Sequence, residues 1–212
     1  MSAIMLGVYA LVGVAHEVAA WRFWTRARQV AKGLLLPVLL VYYCLAAHTV
    51  LAAVIVAIVF SWLGDLLLLR KDDPKYFRGG MVAFMLSHVF YLVALVSLTS
   101  SWHVGVLVAS IVVALIAEVF LPRLINPPKA MFVPIVVYGV MILAMSVVAL
   151  QYALSAPGVW SSGLFVGSLV FVFSDVLMTF LAYGRRPKYF DAITMLPYIV
   201  AQGLIVLGLA MA

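Results

Sequence analysis

Nearly uncharged apolar stretches recur along the whole chain, each close to the roughly 20 residues that an α-helix needs to cross about 30 Å of hydrocarbon. They lie at about Ile4 to Ala20, Ala31 to Ala47, Val50 to Leu69, Gly80 to Leu98, Val104 to Leu121, Met131 to Leu150, Gly163 to Leu181 and Ala192 to Ala210. Eight such helices consume about 160 of the 212 residues, leaving connections too short for a soluble domain. The expected fold is therefore all-α: a polytopic membrane bundle of eight transmembrane helices, a single integral membrane domain over residues 1–212. Any function has to sit within the bilayer. With 67% hydrophobic and 9% charged residues, against about 25% charged in an ordinary soluble domain, a water-soluble globule is excluded.

The 13 Lys and Arg residues are sorted. Arg22, Arg26, Arg28 and Lys32 fall between the first two stretches, and Arg70, Lys71, Lys75 and Arg78 between the third and fourth. Arg123 and Lys129 follow the fifth, and Arg185, Arg186 and Lys188 the seventh; the other connections carry none. Under the positive-inside rule this places the odd-numbered connections in the cytoplasm and both termini outside; the membrane itself is expected to be a bacterial plasma membrane. Scattered in this way, the net charge of +6 builds no continuous basic face, so lipid anchoring is the expectation and nucleic acid is not. The first cation, Arg22, follows the first apolar run instead of preceding it, so no cleavable signal is expected and the first helix is retained. The single cysteine, Cys44, permits no intramolecular disulfide and is expected as a buried, inert thiol.

The halves, about 1–100 and 101–212, echo each other. Pro74-Lys75-Tyr76-Phe77 returns as Pro187-Lys188-Tyr189-Phe190, Phe60-Ser61 as Phe173-Ser174, and Lys32 with Pro37 as Lys129 with Pro134. Glu17 and Glu118 each close the opening helix of a half. The order suggests tandem duplication of a four-helix unit, and duplicated membrane folds tend to place their site between the halves.

An ionisable side chain in hydrocarbon costs at least about 2.5 kcal/mol for Asp at a helix centre, so each one needs a reason. Asp65, in Ser61-Trp62-Leu63-Gly64-Asp65, and Asp175, in Phe173-Ser174-Asp175, stand on the third and seventh helices. Both are expected toward the cytoplasmic side, facing the bundle axis. They either pair with lysines as interhelical glue or act as a carboxylate pair of unlike acidity. Phe84, His88 and Tyr91 share one face of the fourth helix, and Tyr198 and Gln202 one face of the eighth. These polar atoms serve either interhelical hydrogen bonding or a cavity.

Glu17 and Glu118 are expected to pair with Lys32, Arg123 or Lys129. His16 is expected at the interface, His48 and His103 in solvated turns, and Trp21, Trp24, Trp102 and Trp160 as interfacial anchors. Metal-ligand spacing, a Gly-x-Ser-x-Gly elbow, a P-loop and a Gly-x-Gly-x-x-Gly turn are all missing from the sequence, so zinc, serine hydrolase and nucleotide chemistry have no support.

The ordered set Lys32 with Pro37, Ser61-x-x-Gly64-Asp65, Gly80-x-x-Ala83-Phe84-x-x-x-His88-x-x-Tyr91, Tyr138, Gly167-x-x-x-Phe171-x-x-Ser174-Asp175 and Tyr198-x-x-x-Gln202 resembles the YhhN family, multi-pass lysoplasmalogenases of bacteria and animals. Gly33 departs from the pattern, since the family often has Pro after the lysine. The resemblance implies hydrolysis of the vinyl ether bond of a lysoplasmalogen to a fatty aldehyde and glycerophosphoethanolamine or glycerophosphocholine. That chemistry needs a proton donor beside a negative charge, because protonation of the β-carbon creates an oxocarbenium ion. Asp65 and Asp175 are the catalytic candidates. Lys32 is expected to bind the substrate phosphate or tune a carboxylate, and Ser61, His88, Tyr91, Tyr138, Ser174, Tyr198 and Gln202 to contact water and head group. The implied partners are a lysophospholipid substrate and membrane lipids, with no obligatory protein partner and neither metal nor redox cofactor. The rival expectation is a proton-coupled transporter using the same carboxylates, with Pro37 and Pro134 as helix breaks.

Overall fold

Each of the eight apolar stretches is a helix in the computed structural model, which describes residues 1–184 and 186–212. The helices are α1 (Ser2–Trp21), α2 (Thr25–Ala46), α3 (Ala52–Leu67), α4 (Pro74–Leu98), α5 (Val104–Ile125), α6 (Lys129–Ser155), α7 (Val159–Tyr183) and α8 (Phe190–Ala210). A short 3-10 turn, Leu68–Arg70, extends α3, and no strand occurs among the described residues. All eight helices are long and apolar enough to span a bilayer, so the chain is an integral, multi-pass, all-helical membrane protein. Arg185, one of the cations assigned to the last basic connection, lies outside the described residues.

Several helices begin earlier than their apolar stretches. Hydropathy marks the segment that crosses hydrocarbon, whereas the backbone keeps its helical hydrogen bonds on into the polar interface. Hence α2 starts at Thr25 and α4 at Pro74, and Arg26, Arg28, Lys32, Lys75 and Arg78 stand on helices instead of in connections. The start of α4 has a local cause: Asp73 caps it, its carboxylate accepting the Lys75 N–H at 2.9 Å, with Pro74 in the first helical position. The turn from α1 into α2 uses Phe23 at φ 59°, and the Trp24 N–H donates to the Ala19 carbonyl at 2.8 Å. That left-handed residue lets the chain reverse within three residues and delivers Arg28 and Lys32 to the inner side of α2. The repeated Pro-Lys-Tyr-Phe tetrapeptides open α4 and lead into α8.

Pro37 and Pro134, expected as possible helix breaks, are accommodated inside continuous helices α2 and α6. Bundle neighbours in a membrane can compensate the carbonyl that each proline leaves without its amide partner.

Helix α8 is the centre of the bundle, with residues buried from Phe190 to Ala210 on most of its faces, and it meets α1, α2 and α7. Its contact with α7 is a backbone approach. A Cβ at Gly208 would come 2.7 Å from the Trp160 carbonyl oxygen, and one at Gly167 would come 3.0 Å from the Ile205 nitrogen. Small residues allow this closeness, and van der Waals contact replaces the hydrophobic drive that lipid cannot supply. At the edge, α5 packs against α6 and α7 and presents most of its surface outward.

Cys44 is exposed on the outer surface of α2, contrary to expectation. An apolar neighbourhood does not separate interior from periphery in a membrane protein, because both are apolar. His48 and His103 are exposed, as are Trp21, Trp24, Trp102 and Trp160.

Candidate functional site

A cavity of about 210 Å³ opens between α2, α3, α4, α6, α7 and α8, with both intramembrane aspartates on its wall. Asp65 reaches it from the last turns of α3 and Asp175 from the middle of α7. Their surroundings differ. Lys32 on α2 places its Nζ 3.2 Å from Asp65 Oδ1, and Tyr198 on α8 donates its hydroxyl to Asp65 Oδ2 at 2.7 Å. The ammonium also lies 3.5 Å from the Met195 sulfur, which fixes its direction along α8. With Asp65 only 1% exposed, three helices converge on one fully occupied carboxylate.

Asp175 has no ion pair among the described residues. Its Oδ2 accepts the hydroxyl of Tyr138 from α6, and Thr179, one turn on, bonds the Asp175 backbone carbonyl and not its carboxylate. Ser174 bonds across to the Thr194 carbonyl at 3.2 Å and ties α7 to α8 beside the aspartate. Phe84 and Tyr198 line the same cavity, and with Phe171 their rings pack edge to face with centroids 5.5 to 6.4 Å apart.

Six of the ten residues singled out in the sequence line this cavity: Lys32, Asp65, Tyr138, Ser174, Asp175 and Tyr198. The other four, Ser61, His88, Tyr91 and Gln202, lie behind it. Gln202 Nε2 donates to Ser61 Oγ at 3.1 Å, Ser61 shares a 2.7 Å hydrogen bond with Ser87, and the Tyr91 hydroxyl donates to Gln202 Oε1 at 3.1 Å. This buried network ends at the Tyr198 hydroxyl, 3.5 Å from Gln202 Nε2, and so backs the Asp65 side of the cavity. His88 donates from Nδ1 to the Phe84 carbonyl at 2.6 Å and packs against Phe171 and Tyr138. Its Nε2 is buried without a protein partner.

Other residues reach the site that sequence reasoning did not assign to it. His16 is not interfacial but buried, bonded to Glu17 at 3.2 Å, and lines the cavity. Glu17 and Glu118 do not form the expected pairs with Lys32, Arg123 or Lys129 among the described residues; Glu118 packs instead against Gly139 of α6, where the missing Cβ makes room for it. At the cavity mouth, Arg28 and Lys71 both pair with Asp191, and Arg186 pairs with Asp72 at 2.8 Å. Asp191 was legible as an acid in the apolar opening of α8. Its cations come from segments that only folding brings together. Among the described residues no group of three or more His, Cys, Asp or Glu side chains is placed to hold a metal ion.

Chemically, the cavity offers one carboxylate held as an ion pair, a second that among the described residues receives a phenol and no cation, aromatic rings on its wall and a charged mouth. No solved structure matches the chain. Among curated proteins it is 29% identical over 152 residues to the mouse (Mus musculus) protein named Lysoplasmalogenase TMEM86B, a match that covers 72% of this chain and 61% of that relative. The YhhN family pattern matches residues 3–209, nearly the full length, and the chain therefore belongs to the YhhN family.

Proposed function

We propose that this protein hydrolyses the vinyl ether bond of a lysoplasmalogen, releasing a fatty aldehyde and a glycerophospho head group. The observation that carries the proposal is the presence of two carboxyl groups in unlike settings on one cavity. Family membership and the name of the mouse relative support the substrate class.

Asp175 is the general acid: Tyr138 engages Oδ2, and the proton rides on the other oxygen. It passes to the β-carbon of the vinyl ether, and the C=C electron pair forms the new C–H bond. The adjacent carbon becomes an oxocarbenium ion, stabilised by the negative charge that Asp65 keeps because Lys32 is beside it. Water adds to that carbon and returns a proton to Asp175. The resulting hemiacetal breaks its bond to the glycerol oxygen, which takes up a proton as the hydroxyl proton is lost. One water is consumed, and neither oxidant nor reductant enters.

A cavity of about 210 Å³ suits the glycerol and vinyl ether but not a long hydrocarbon chain as well. An adjoining groove of about 280 Å³ between α4 and α6, lined by Met81, Met85, Val133, Val137 and Tyr138, shares Met81 and Tyr138 with the cavity and would take the chain toward lipid. The charged mouth faces the cytoplasm in this reading, which the sorting of the cations supports.

The test is aldehyde release by purified, folded protein from a synthetic lysoplasmalogen and from its saturated alkyl ether counterpart. Aldehyde from the vinyl ether alone is expected. No aldehyde from either would remove the hydrolase proposal and leave proton-coupled transport as the use of the carboxylates.

A further inference from the structure

Arg28, Lys71 and Arg186 come from α2, from the turn after α3 and from the connection after α7, yet all three line the mouth of the same cavity. Gathering like charges at the edge of a low-dielectric region is costly unless anions are held there. Two carboxylates are present. Asp191 sits between Arg28 and Lys71, while Asp72, paired with Arg186, has a side chain 82% exposed. An ion pair so open to solvent is weak and readily exchanged. Lys71 Nζ and the Arg186 guanidinium also lie over one ring, Phe190, at 4.4 and 4.5 Å from its centroid, so one aromatic side chain holds both cations at the mouth.

We propose that Arg28, Lys71 and Arg186 form a binding site for the phosphodiester of a lysophospholipid, with Arg186 exchanging Asp72 for phosphate. Three cations facing two carboxylates leave one positive charge, which a phosphodiester monoanion neutralises. The planar fork of Arg186 and the point charge of Lys71 suit adjacent phosphate oxygens. The site rests on the hydrolase proposal and deepens it, because a phosphate held at the mouth leaves the sn-1 linkage one glycerol unit further in, toward Asp65 and Asp175. Lys32, occupied by Asp65, is left to the inner site.

The test is binding measured by native mass spectrometry on detergent-solubilised protein. The hydrolysis-resistant probes are a 1-O-alkylglycerophosphoethanolamine and a 1-O-alkylglycerol of the same chain, with inorganic phosphate as a third. Wild type is expected to bind the phosphate-bearing lipid more tightly than the alkylglycerol. Lys71→Gln and Arg186→Gln should each weaken the phosphate-bearing lipid about tenfold, leaving the alkylglycerol unchanged. Lys71→Arg should restore binding, and Arg22→Gln, outside the mouth, should have no effect.

Equal affinity of wild type for the two lipids would overturn the site, and so would equal loss of both in the variants. Inorganic phosphate binding as tightly as the lipid would overturn its assignment to a head group. Because the probes are not turned over, phosphate-dependent binding without aldehyde release would keep the site and remove the reaction. Aldehyde release without phosphate-dependent binding would do the reverse.

Discussion

Lys32 Nζ stands 3.2 Å from Asp65 Oδ1 inside the bundle, while Asp175 on the same cavity receives, among the described residues, the Tyr138 hydroxyl and no cation. In the proposed mechanism that asymmetry gives opposite tasks to two residues of one type. It also joins α2 to α3 through charge and makes the pair a structural as well as a chemical element.

Lys32→Met leaves Asp65 uncompensated in a buried position and should destabilise the fold by roughly 3–5 kcal/mol. The combined Lys32→Met, Asp65→Asn variant should recover much of that loss, because no lone charge remains. Thermal unfolding in detergent measures the cycle, and strictly additive losses would show that the two residues are uncoupled.

Tyr138→Phe deletes the one side-chain donor to the Asp175 carboxylate among the described residues and keeps the ring that packs on His88. Turnover should fall about tenfold or more, since positioned proton transfer contributes roughly 10²- to 10⁴-fold. Binding of the non-hydrolysable alkyl ether lipid should hold. Weaker lipid binding at unchanged turnover would make Tyr138 a substrate contact and not a partner of the acid.

Burial pushes the Lys71 ammonium down from 10.5 to about 8, although Asp191 beside it favours the charged form and Lys32 and Arg186 oppose it. Its positive charge is therefore complete below that value and lost as pH rises through about 8. KM for a phosphate-bearing substrate should rise across this window, and Lys71→Arg, charged throughout, should abolish the rise. In the unfolded chain Lys71 holds its proton up to about 10.5, so its contribution to stability increases with pH between about 8 and 10.5. A KM profile identical in wild type and Lys71→Arg would remove Lys71 from substrate binding.

Gly208→Leu would drive a side chain into the Trp160 carbonyl and Leu164 and should cost about 1–3 kcal/mol or more by forcing α7 from α8. Gly7, with open space at its Cβ position, should accept Ala with little effect. Unfolding temperatures of the two variants check this contrast. Equal effects would mean that α7 and α8 are not in backbone contact.

The membrane architecture was legible because each apolar run is long enough to cross hydrocarbon and the sorting of the cations supported eight crossings, the number of helices found. Asp65 and Asp175 were legible as carboxylates out of place in hydrocarbon and Tyr198 as a polar group on one face of its helix, whereas Lys32, Tyr138 and Ser174 entered as site residues through the family resemblance; one cavity gathers all six. Helix faces were harder to read. Phe84, His88 and Tyr91 share a face, but only Phe84 among them lines the cavity, while His88 packs on Phe171 and Tyr91 bonds to Gln202. Periodicity fixes which residues are neighbours and not what lies opposite them. The mouth was hidden for another reason: Arg28, Lys71 and Arg186 each looked like an ordinary connection cation, Asp191 drew no reading at all, and the close turn between α1 and α2 and the central position of α8 set them around one opening.

The sidedness of the mouth has its own check. In a Cys44→Ala background, Ser101→Cys should react with a membrane-impermeant maleimide in intact cells and Arg22→Cys only after lysis. The opposite pattern would turn the mouth to the outside.

The central claim is proton transfer from Asp175 to the vinyl ether carbon, and the most direct measurement is turnover of a lysoplasmalogen in D₂O by wild type and by a folded Asp175→Asn variant. Wild type should release aldehyde with one deuterium at the carbon next to the carbonyl, and the variant should form at least about 100-fold less while still binding the alkyl ether lipid. Aldehyde release by Asp175→Asn at the wild-type rate, or none from folded wild type, would contradict it.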